Sequence, residues 1–305
     1  MNDLEIIIPA YNSHKTITNT LESISIQENM PSYHVTIVND CGENYEKIIK
    51  EYKDRINIDE ITTPTNSGPG FARQYGIDNT KSKYILFIDS DDSLYDKNSI
   101  QKLYQKIDKT RAELVISSFI YNRDGESVVR DRDSVYLHGK IYKREYLEKN
   151  NIKFNNSRSN EDNGFNSLVF LLGPGFIVID DITYIYNDYK DSITRRNNRE
   201  FKFTGLEGYS YNINWAIEEA EKRDANKESI GYKSLEGLIV MYKNYNELYG
   251  KYDTNKILEW SKKIYEKYLK YKEYNTKYEK DMLLDNKPKE EHITFKEFKE
   301  KMDNL

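Results

Sequence analysis

The strongest constraint on the fold is an alternation of short apolar runs with amphipathic segments between residues 4 and 117. Short apolar runs are typical of buried β-strands, whereas apolar residues three and four positions apart indicate helices. Strands that alternate with helices pair in parallel, and the helices cover both faces of the sheet. We therefore predict an α/β fold whose strands are residues 4–8, 34–38, 58–62, 84–88 and 114–117.

The residues after the first strand predict where it ends and how the first helix begins. Pro9 has no backbone N–H and predicts a strand end. Asn12 or Ser13 predicts a helix cap, because both side chains can accept a hydrogen bond from the first helical N–H groups. The buried face of that helix would comprise Ile17, Leu21 and Ile24.

Polar residues follow three of the predicted strands. Tyr11 and Asn12 follow the first, Asn39 and Asp40 follow the second, and the sequence DSDD at 89–92 (the aspartate turn) follows the fourth. The carboxyl ends of parallel strands meet at one edge, where ligands bind near the point at which strand order reverses. The aspartate turn is therefore a candidate binding site.

The pattern changes near residues 195–205, after which helical spacing dominates. Apolar stripes separated by Lys and Glu predict three or four amphipathic helices. We therefore predict two domains, residues 1–200 and residues 201–305. The helical domain would either bind the acceptor or join copies of the chain into a homo-oligomer.

Charge and composition exclude several classes of protein. The net charge of the 305 residues is −5, which argues against a nucleic-acid partner, because such proteins neutralise phosphates with clustered Lys and Arg. The single cysteine, Cys41, excludes an internal disulfide and a cysteine-built zinc site. The start MNDLEIIIPAYN does not suggest a secretory signal, and no apolar run reaches the roughly 20 residues of a membrane helix. We expect a cytoplasmic protein, either soluble or peripheral to a membrane.

Five short motifs occur in a defined order along the first half of the chain. They are IIIPAYN (6–12), IVNDCGEN (37–44), NSGPGFARQYGI (66–77), ILFIDSDD (85–92) and NEDNGFN (160–166). Their order and spacing resemble the signature of family 2 glycosyltransferases with the GT-A fold. The resemblance covers roughly residues 4–195 and implies a Rossmann-like mixed, mainly parallel sheet flanked by helices, followed here by an α-helical C-terminal region.

The aspartate turn would hold the nucleotide-sugar diphosphate through a divalent cation. Carboxylate oxygens bind such cations, and the cation stabilises the charge that develops on the leaving phosphate. The resemblance implies that Asp89 contacts the nucleoside, that Asp91 with Asp89 holds Mn²⁺ or Mg²⁺, and that Ser90 lies in the donor site. Asp92 would be an acceptor contact or a helix cap. The alternative interpretation is an acidic loop that caps the next helix.

Residues around the other strand ends would bind the donor. Asp40 could accept the imide proton of uracil, a role that the family gives to an aspartate there; an Asx turn is the alternative. Arg73 could reach the base or the diphosphate with its permanently charged fork, or be an ordinary surface arginine. The resemblance adds Pro9, Ala10, Tyr11, Asn12, Asn66 and Gly68 to the donor site.

Glu161 and Asp162 form the last candidate pair. One carboxylate must remove the acceptor hydroxyl proton as that oxygen attacks the anomeric carbon. The resemblance implies that Asp162 is this base and that Glu161 supports it or binds the acceptor. A carboxylate pair also stabilises a helix start, so capping is the alternative.

The segment YIYNDYKDSITR (184–195) departs from the family pattern. Some relatives carry a metal- or diphosphate-binding histidine or arginine there, but this chain has Asn187, Asp188 and Tyr189. A third protein contact to the metal is therefore in doubt. Basic residues just after this segment could neutralise the diphosphate or be solvated; these are Lys190, Arg195 and Arg196.

Together these observations predict an inverting, metal-dependent glycosyltransferase that uses a UDP-sugar. The acceptor would be a hydroxyl of a glycan, a polymer such as a cell-surface polysaccharide, or another molecule. An inactive sugar-binding or structural subunit is one alternative, although the acidic motifs are all present. A sugar nucleotidyltransferase is the other, but PAYNSHKT lacks the glycine-rich loop that such enzymes need.

Overall fold

The computed structural model of the chain divides into two compact units. The sheet unit comprises Met1–Asp162 and Pro174–Ser192, and the helical unit comprises Asn163–Gly173 and Ile193–Leu305. The structure describes residues 2–123, 125–187, 189, 201–283 and 292–305. The predicted domain boundary at 200/201 stays a prediction, because it adjoins residues outside these ranges.

The described residues of the sheet unit form one mixed sheet of nine strands. The strands are β1 (Leu4–Ala10), β2 (Tyr33–Asn39), β3 (Ile58–Thr62), β4 (Tyr84–Phe87), β5 (Ser93–Leu94), β6 (Leu114–Arg123), β7 (Glu126–Arg130), β8 (Lys140–Lys143) and β9 (Phe176–Asn187). Their order is β3-β2-β1-β4-β8-β6-β9-β5, and β7 pairs with β6.

The sheet has a parallel half and a mixed half. β3, β2, β1 and β4 are parallel to one another. β8 is antiparallel to both β4 and β6, whereas β6 is parallel to β9, and β5 and β7 pair antiparallel at the margins. The five predicted strands correspond to β1, β2, β3, β4 and β6. The other four strands were not predicted.

Helices cover both faces of the parallel half, as predicted. Leu4, Ile6 and Ile8 are buried in one cluster with residues of α1 (Ile17–Ser25), α2 (Glu46–Tyr52) and α4 (Ser99–Lys109). The alternate residue Ile7 points the other way, towards α3 (Pro69–Asn79), where a Cβ on Gly76 would lie 2.7 Å from Ile7 Cγ2. The side chains of β1 therefore alternate between two helical layers.

The prediction that Pro9 ends the first strand is wrong, because β1 continues to Ala10. Alternate residues of a parallel strand bond to opposite neighbours. The Ile7 carbonyl accepts from Ile88 on the β4 side, and the Ala10 carbonyl accepts from Asp40 on the β2 side. Pro9 therefore faces the β4 side beyond the last β1–β4 pair, where the ladder needs no N–H.

The predicted cap of the first helix is also wrong, although its buried face is confirmed. α1 begins only at Ile17, and the cap position, Thr16, makes no side-chain capping bond. The Thr16 N–H instead donates to the Ser13 carbonyl in a preceding turn. Asn12 has a positive φ of 52° and accepts from the Glu43 N–H through Oδ1 at 3.0 Å. Its side chain thus fixes a loop rather than a helix.

Two further helices follow the sheet strands in the first part of the chain. They are α5 (Arg144–Lys149), which belongs to the sheet unit, and α6 (Glu161–Leu171), which begins in it. The boundary between the units falls inside α6, after Asp162. α6 begins at Glu161, which matches the predicted helix start.

The described part of the C-terminal region contains five helices, one more than the upper predicted number. They are α7 (Phe201–Glu221), α8 (Lys227–Leu248), α9 (Thr254–Lys270), α10 (Lys272–Leu283) and α11 (Phe295–Asp303). Their shared core includes Ile213, Leu238, Ile257, Ile264 and Phe298. The last of them, α11, begins with a capping box that joins Thr294 and Glu297.

Among the residues that the structure describes, no helix combines the length and apolarity required to cross a bilayer.

Candidate active site

The three polar strand ends lie at one edge of the sheet, because β1 pairs in parallel with both β2 and β4. Pro9 and Ala10 are the last, buried residues of β1. Tyr11 follows them with 55% of its surface exposed, and Asn12 is also exposed. Pro9 and Ala10 therefore form part of the sheet edge, whereas Tyr11 and Asn12 are accessible to a ligand.

Asp40 anchors the glycine-rich turn that precedes α3. Its carboxylate accepts from the backbone N–H of Ser67 at 3.0 Å and of Gly68 at 2.7 Å, and from Thr63 Oγ1 at 3.0 Å. Asn66 Nδ2 donates to the Asp40 carbonyl at 3.1 Å. The structure thus brings Asp40, Asn66 and Gly68 together. The buried Asp40 carboxylate holds this turn, and its predicted contact with uracil stays a prediction.

Arg73 on α3 bridges two carboxylates that are distant in the sequence. Its Nη2 donates to Asp89 Oδ1 at 2.6 Å and its Nη1 donates to Glu161 Oε1 at 2.8 Å. The guanidinium is buried and lies 5.9 Å from the centre of the Phe154 ring. Burial alone would lower the pKa of Arg73, but the charges of Asp89 and Glu161 raise it. A permanent cation therefore joins the aspartate turn to the start of α6.

The aspartate turn contains both an accessible and a buried carboxylate. Asp89 has 27% of its side chain exposed. Burial opposes its ionisation, yet Arg73 holds the pKa of Asp89 below its usual range. Asp92 is 1% exposed, and burial followed by the charges of Asp91 and Asp89 raises its pKa well above the usual range. The pKa values of these two neighbouring carboxyl groups are thus shifted in opposite directions.

Asp92 is held by residues of β9. Its Oδ2 accepts from the Tyr184 hydroxyl at 2.6 Å, and its Oδ1 accepts from the Asn187 N–H at 2.8 Å. Asn187 Nδ2 also donates to the Asp91 carbonyl at 3.4 Å. The cap position before α4 is Asn98, so the interpretation of Asp92 as a helix cap is wrong. The hydrogen bonds from β9 hold the Asp92 side chain inside the protein. The predicted contact of Asp92 with the acceptor stays a prediction.

His138 is a site residue that the sequence did not indicate. Its Nδ1 lies 3.8 Å from Asp92 Oδ2, and ligand atoms of Asp89, Asp92 and His138 all lie within 4.8 Å of one another. Burial lowers the pKa of His138 to about 4, so its ring is neutral at pH 7. Carboxylates with a neutral imidazole are a donor set that suits Mn²⁺. The described residues therefore fit a divalent cation, with His138 beside the predicted ligand Asp89.

The other predicted residues of the aspartate turn, Ser90 and Asp91, are partly exposed. Asp162 is also partly exposed and follows Glu161, whose side chain is 8% exposed. Of the segment after β9, Tyr189 is exposed, whereas Asp188, Lys190, Arg195 and Arg196 lie outside the described residues. The second residue that the sequence did not indicate is Lys140 on β8.

Lys140 is fully buried, and its Nζ donates to the Tyr136 carbonyl. Burial lowers the pKa of Lys140 to about 8, against the opposing charges of Asp133 and Asp162. Stacked rings adjoin this lysine: His138 lies 5.2 Å from Tyr136 and 4.7 Å from Tyr184, measured between ring centres. No local pattern marks His138 or Lys140: His138 precedes the charged strand KIYK, and Lys140 is its first residue.

The family profile of Glycosyl transferase family 2 matches residues 5–164, which is more than half of the chain. The chain therefore belongs to glycosyl transferase family 2, and that part of it is a glycosyltransferase domain. The match contains the polar ends of β1, β2 and β4 and stops just after Asp162.

Among curated proteins, the chain is similar to the poly(ribitol-phosphate) beta-N-acetylglucosaminyltransferase TarS of Staphylococcus aureus. The two are 26% identical over 204 residues, which cover 61% of this chain and 35% of TarS. The chain thus spans about a third of the length of the first curated relatives that it matches.

Among solved structures, residues 1–349 of S. aureus TarS resemble this chain with a TM-score of 0.70 at 19% identity, covering 99% of this chain and 91% of that chain. The same fragment in complex with UDP-GlcNAc gives a TM-score of 0.64 at 20% identity, covering 92% and 83%. These likenesses confirm the predicted fold class, and the family profile confirms the predicted family. The roles of single residues stay predictions.

Proposed function

We propose that the chain transfers a sugar from a UDP-sugar to a hydroxyl group of a cell-surface polymer, with inversion at the anomeric carbon. N-acetylglucosamine is the first sugar to test, because TarS is a beta-N-acetylglucosaminyltransferase and its fragment was solved with UDP-GlcNAc. A polyol-phosphate chain is the corresponding first acceptor, since TarS acts on poly(ribitol-phosphate).

The observation that carries this proposal is the bridge from Asp89 through Arg73 to Glu161. It joins the aspartate turn, a candidate for the diphosphate, to the carboxylate pair, a candidate for the acceptor. Burying Arg73 and Glu161 costs free energy that a sequence selected for stability alone would avoid. Ionisable groups arranged in this way are typical of catalytic sites.

Donor binding is assigned to the accessible groups of the strand ends. Tyr11 and Asn12 are exposed beside the turn that Asp40 anchors, so a nucleoside can lie there against Asn66 and Gly68. In this proposal Asp40 contributes mainly through the shape of the turn, because its carboxylate already accepts three protein donors.

A divalent cation fits the acidic end of the site. Asp89 and Asp91 would hold it as predicted, and His138 offers a neutral imidazole within reach of Asp89. When bound, Mn²⁺ or Mg²⁺ supplies positive charge against the leaving diphosphate. The protein's own contribution there is to keep Asp89 ionised through Arg73.

Asp162 is assigned as the general base. It is partly exposed and follows the buried Glu161, so of this pair it is the accessible carboxylate. Asp162 would accept the acceptor hydroxyl proton while that oxygen forms a bond to the anomeric carbon and the bond to UDP breaks. One such displacement inverts the anomeric carbon.

The test is UDP release and product formation from UDP-GlcNAc, UDP-glucose and UDP-galactose, with polyribitol phosphate and with or without Mn²⁺. We expect turnover with at least one donor that stops when the metal is chelated. Asp91→Ala should lower metal-dependent affinity for UDP about tenfold or more, because a carboxylate ligand is lost.

A matched control is Asp180→Ala, which removes an exposed aspartate of β9. This variant should bind UDP as the wild type does. If calorimetry detects no binding of any UDP species by the wild type, or if Asp91→Ala and Asp180→Ala behave alike, the proposed function is contradicted.

A further inference from the structure

The guanidinium of Arg73 is directed at protein partners and is almost closed to solvent. Its two terminal nitrogens each donate to a carboxylate, at 2.6 and 2.8 Å, and only 5% of the side chain is exposed. Its Nε is buried and has no hydrogen-bond partner among the described residues. A buried donor without a partner costs free energy. The two carboxylates therefore determine where the guanidinium lies, even though one of its N–H groups stays unpaired within the described part of the chain.

Gly70, one helical turn before Arg73, leaves the space that Glu161 fills. A Cβ at Gly70 would lie 2.7 Å from Glu161 Cγ and 3.0 Å from Glu161 Cβ. Residues three apart face the same side of a helix, so Gly70 and Arg73 receive Glu161 together. The Glu161 side chain therefore lies across the start of α3 and ends on the guanidinium.

The segment before Glu161 is attached to the same helix and its preceding turn. The Phe154 N–H donates to Gln74 Oε1 at 2.9 Å, and Arg158 Nη2 donates to the Asn66 carbonyl at 2.7 Å. These bonds follow α3 from its preceding turn to its middle. The chain that leads to Asp162 is thus fixed at three successive places.

We propose that Gly70, Arg73 and Glu161 form a positioning clamp that fixes Asp162 for proton transfer, and that neither Arg73 nor Glu161 contacts the donor. This inference rests on the proposed function and changes two of its predicted roles. Arg73 was predicted to reach the base or diphosphate, and Glu161 was predicted as catalytic or acceptor-binding. In the clamp both act through Asp162 and are positioning residues.

The clamp predicts that its variants lower kcat and leave donor binding alone. Glu161→Ala and Gly70→Ala should each reduce kcat about 100-fold, the size of effect expected when a reacting group shifts by about 1 Å. The dissociation constant for UDP should stay within about twofold of the wild type, because only a step after donor binding is affected.

A double-variant cycle separates displacement of Glu161 from general damage. Once Glu161 is alanine, the 2.7 Å approach of a Gly70 Cβ to Glu161 Cγ is removed, and only the 3.0 Å approach to the Cβ of residue 161 remains. Gly70→Ala should therefore add much less in the Glu161→Ala background, a non-additivity expected of residues in contact. Gly175→Ala is the matched control, since the nearest atom to a Cβ there is Glu113 Oε2 at 3.8 Å.

Thermal unfolding tests the clamp without any activity. Alanine favours a helix over glycine, so Gly70→Ala should raise the melting temperature unless Glu161 is displaced. We expect a lower melting temperature in the wild-type background, and a smaller loss in the Glu161→Ala background. A wild type that binds no UDP would refute the proposed function, whereas this cycle would still show whether the clamp exists.

Two results would overturn the inference. The first is additivity of Gly70→Ala and Glu161→Ala in both kcat and melting temperature. The second is a rise of more than about tenfold in the dissociation constant for UDP in Glu161→Ala with kcat unchanged, which would make Glu161 a donor contact.

Discussion

The two units of the chain use charged residues in opposite ways. In the sheet unit, Arg73 and Lys140 are buried, and so is Asp92 beside the half-buried Asp89. In the helical unit, charges join helices near the surface: Glu221 of α7 accepts from Lys267 at 2.6 Å and from Lys270 at 2.7 Å, both on α9. The sheet unit thus holds several charged groups in its interior, whereas this cluster of the helical unit lies near the surface.

This difference indicates where the chemistry lies. A buried ion pair rarely adds net stability over an apolar pair of the same shape, so its presence needs another reason. The buried charges of the sheet unit meet at the carboxyl ends of parallel strands, where ligands bind in such folds. The pairs of the helical unit need no such reason, because surface bridges between helices stabilise modestly.

The largest expected effect is on catalysis in the sheet unit. Asp162→Asn should lower kcat about 10³-fold, because amide nitrogen and oxygen cannot take up the acceptor proton. Binding of UDP, measured by calorimetry, should be unchanged. Asp131→Asn, an exposed aspartate after β7, is the control. Transfer at the wild-type rate by Asp162→Asn would refute the base assignment.

The next effect compares a buried cation with a surface one. Arg73→Met leaves two carboxylates without their partner and should lower the free energy of unfolding by about 3–5 kcal/mol. Lys267→Met removes one of two lysines on Glu221 and should cost about 1 kcal/mol or less. Urea unfolding measures both. Equal losses would abolish the distinction between the two units.

A smaller effect follows from the pKa of Glu221. Partial burial opposes ionisation, but hydrogen bonds from Lys267, Lys270 and Tyr271 lower the pKa of Glu221 to about 2. Because the folded pKa is below the unfolded value of 4.5, the stabilisation is complete above that value and is lost as pH falls towards 2. Glu221→Gln should therefore cost about 1–2 kcal/mol at pH 7 and clearly less at pH 3. A cost that is independent of pH would show that the ion pairs contribute nothing.

The smallest effect is expected for an exposed pair within one helix. Lys296 Nζ lies 3.6 Å from Glu300 Oε1 on α11, and their side chains are 84% and 55% exposed. Lys296→Ala should change the free energy of unfolding by less than about 0.5 kcal/mol, since solvent screens such a pair. A loss as large as that of Glu221→Gln would mean that the stabilisation by these ion pairs does not depend on their exposure to solvent.

The sequence predicted those elements of the fold that short-range patterns mark. The parallel strands β1 to β4 and the stripe of α1 follow from apolar spacing, and the aspartate turn follows from its place after β4. The short strands β5 and β8 carry no such pattern, because two residues or the charged sequence KIYK cannot be told from a loop. These strands are formed by tertiary pairing rather than by local preference.

The sequence predicted many residues of the candidate site but not the hydrogen bonds and ion pairs between them. Arg73 and Glu161 were both named, yet they are 88 residues apart and nothing local indicates that they bond. His138 and Lys140 were missed because the burial of a titratable side chain depends on what surrounds it in three dimensions. The resemblance to a family supplied motif positions, whereas the bridge became visible only in the structure.

The most direct test of the account is a crystal structure of this protein grown with UDP and Mn²⁺. The account predicts manganese beside the aspartate turn, in contact with Asp89 or Asp91, and a diphosphate next to it. It also predicts that Arg73 still bonds to Glu161. Nucleotide bound away from the carboxyl ends of β1, β2 and β4, or a manganese site without any residue of the aspartate turn, would contradict it.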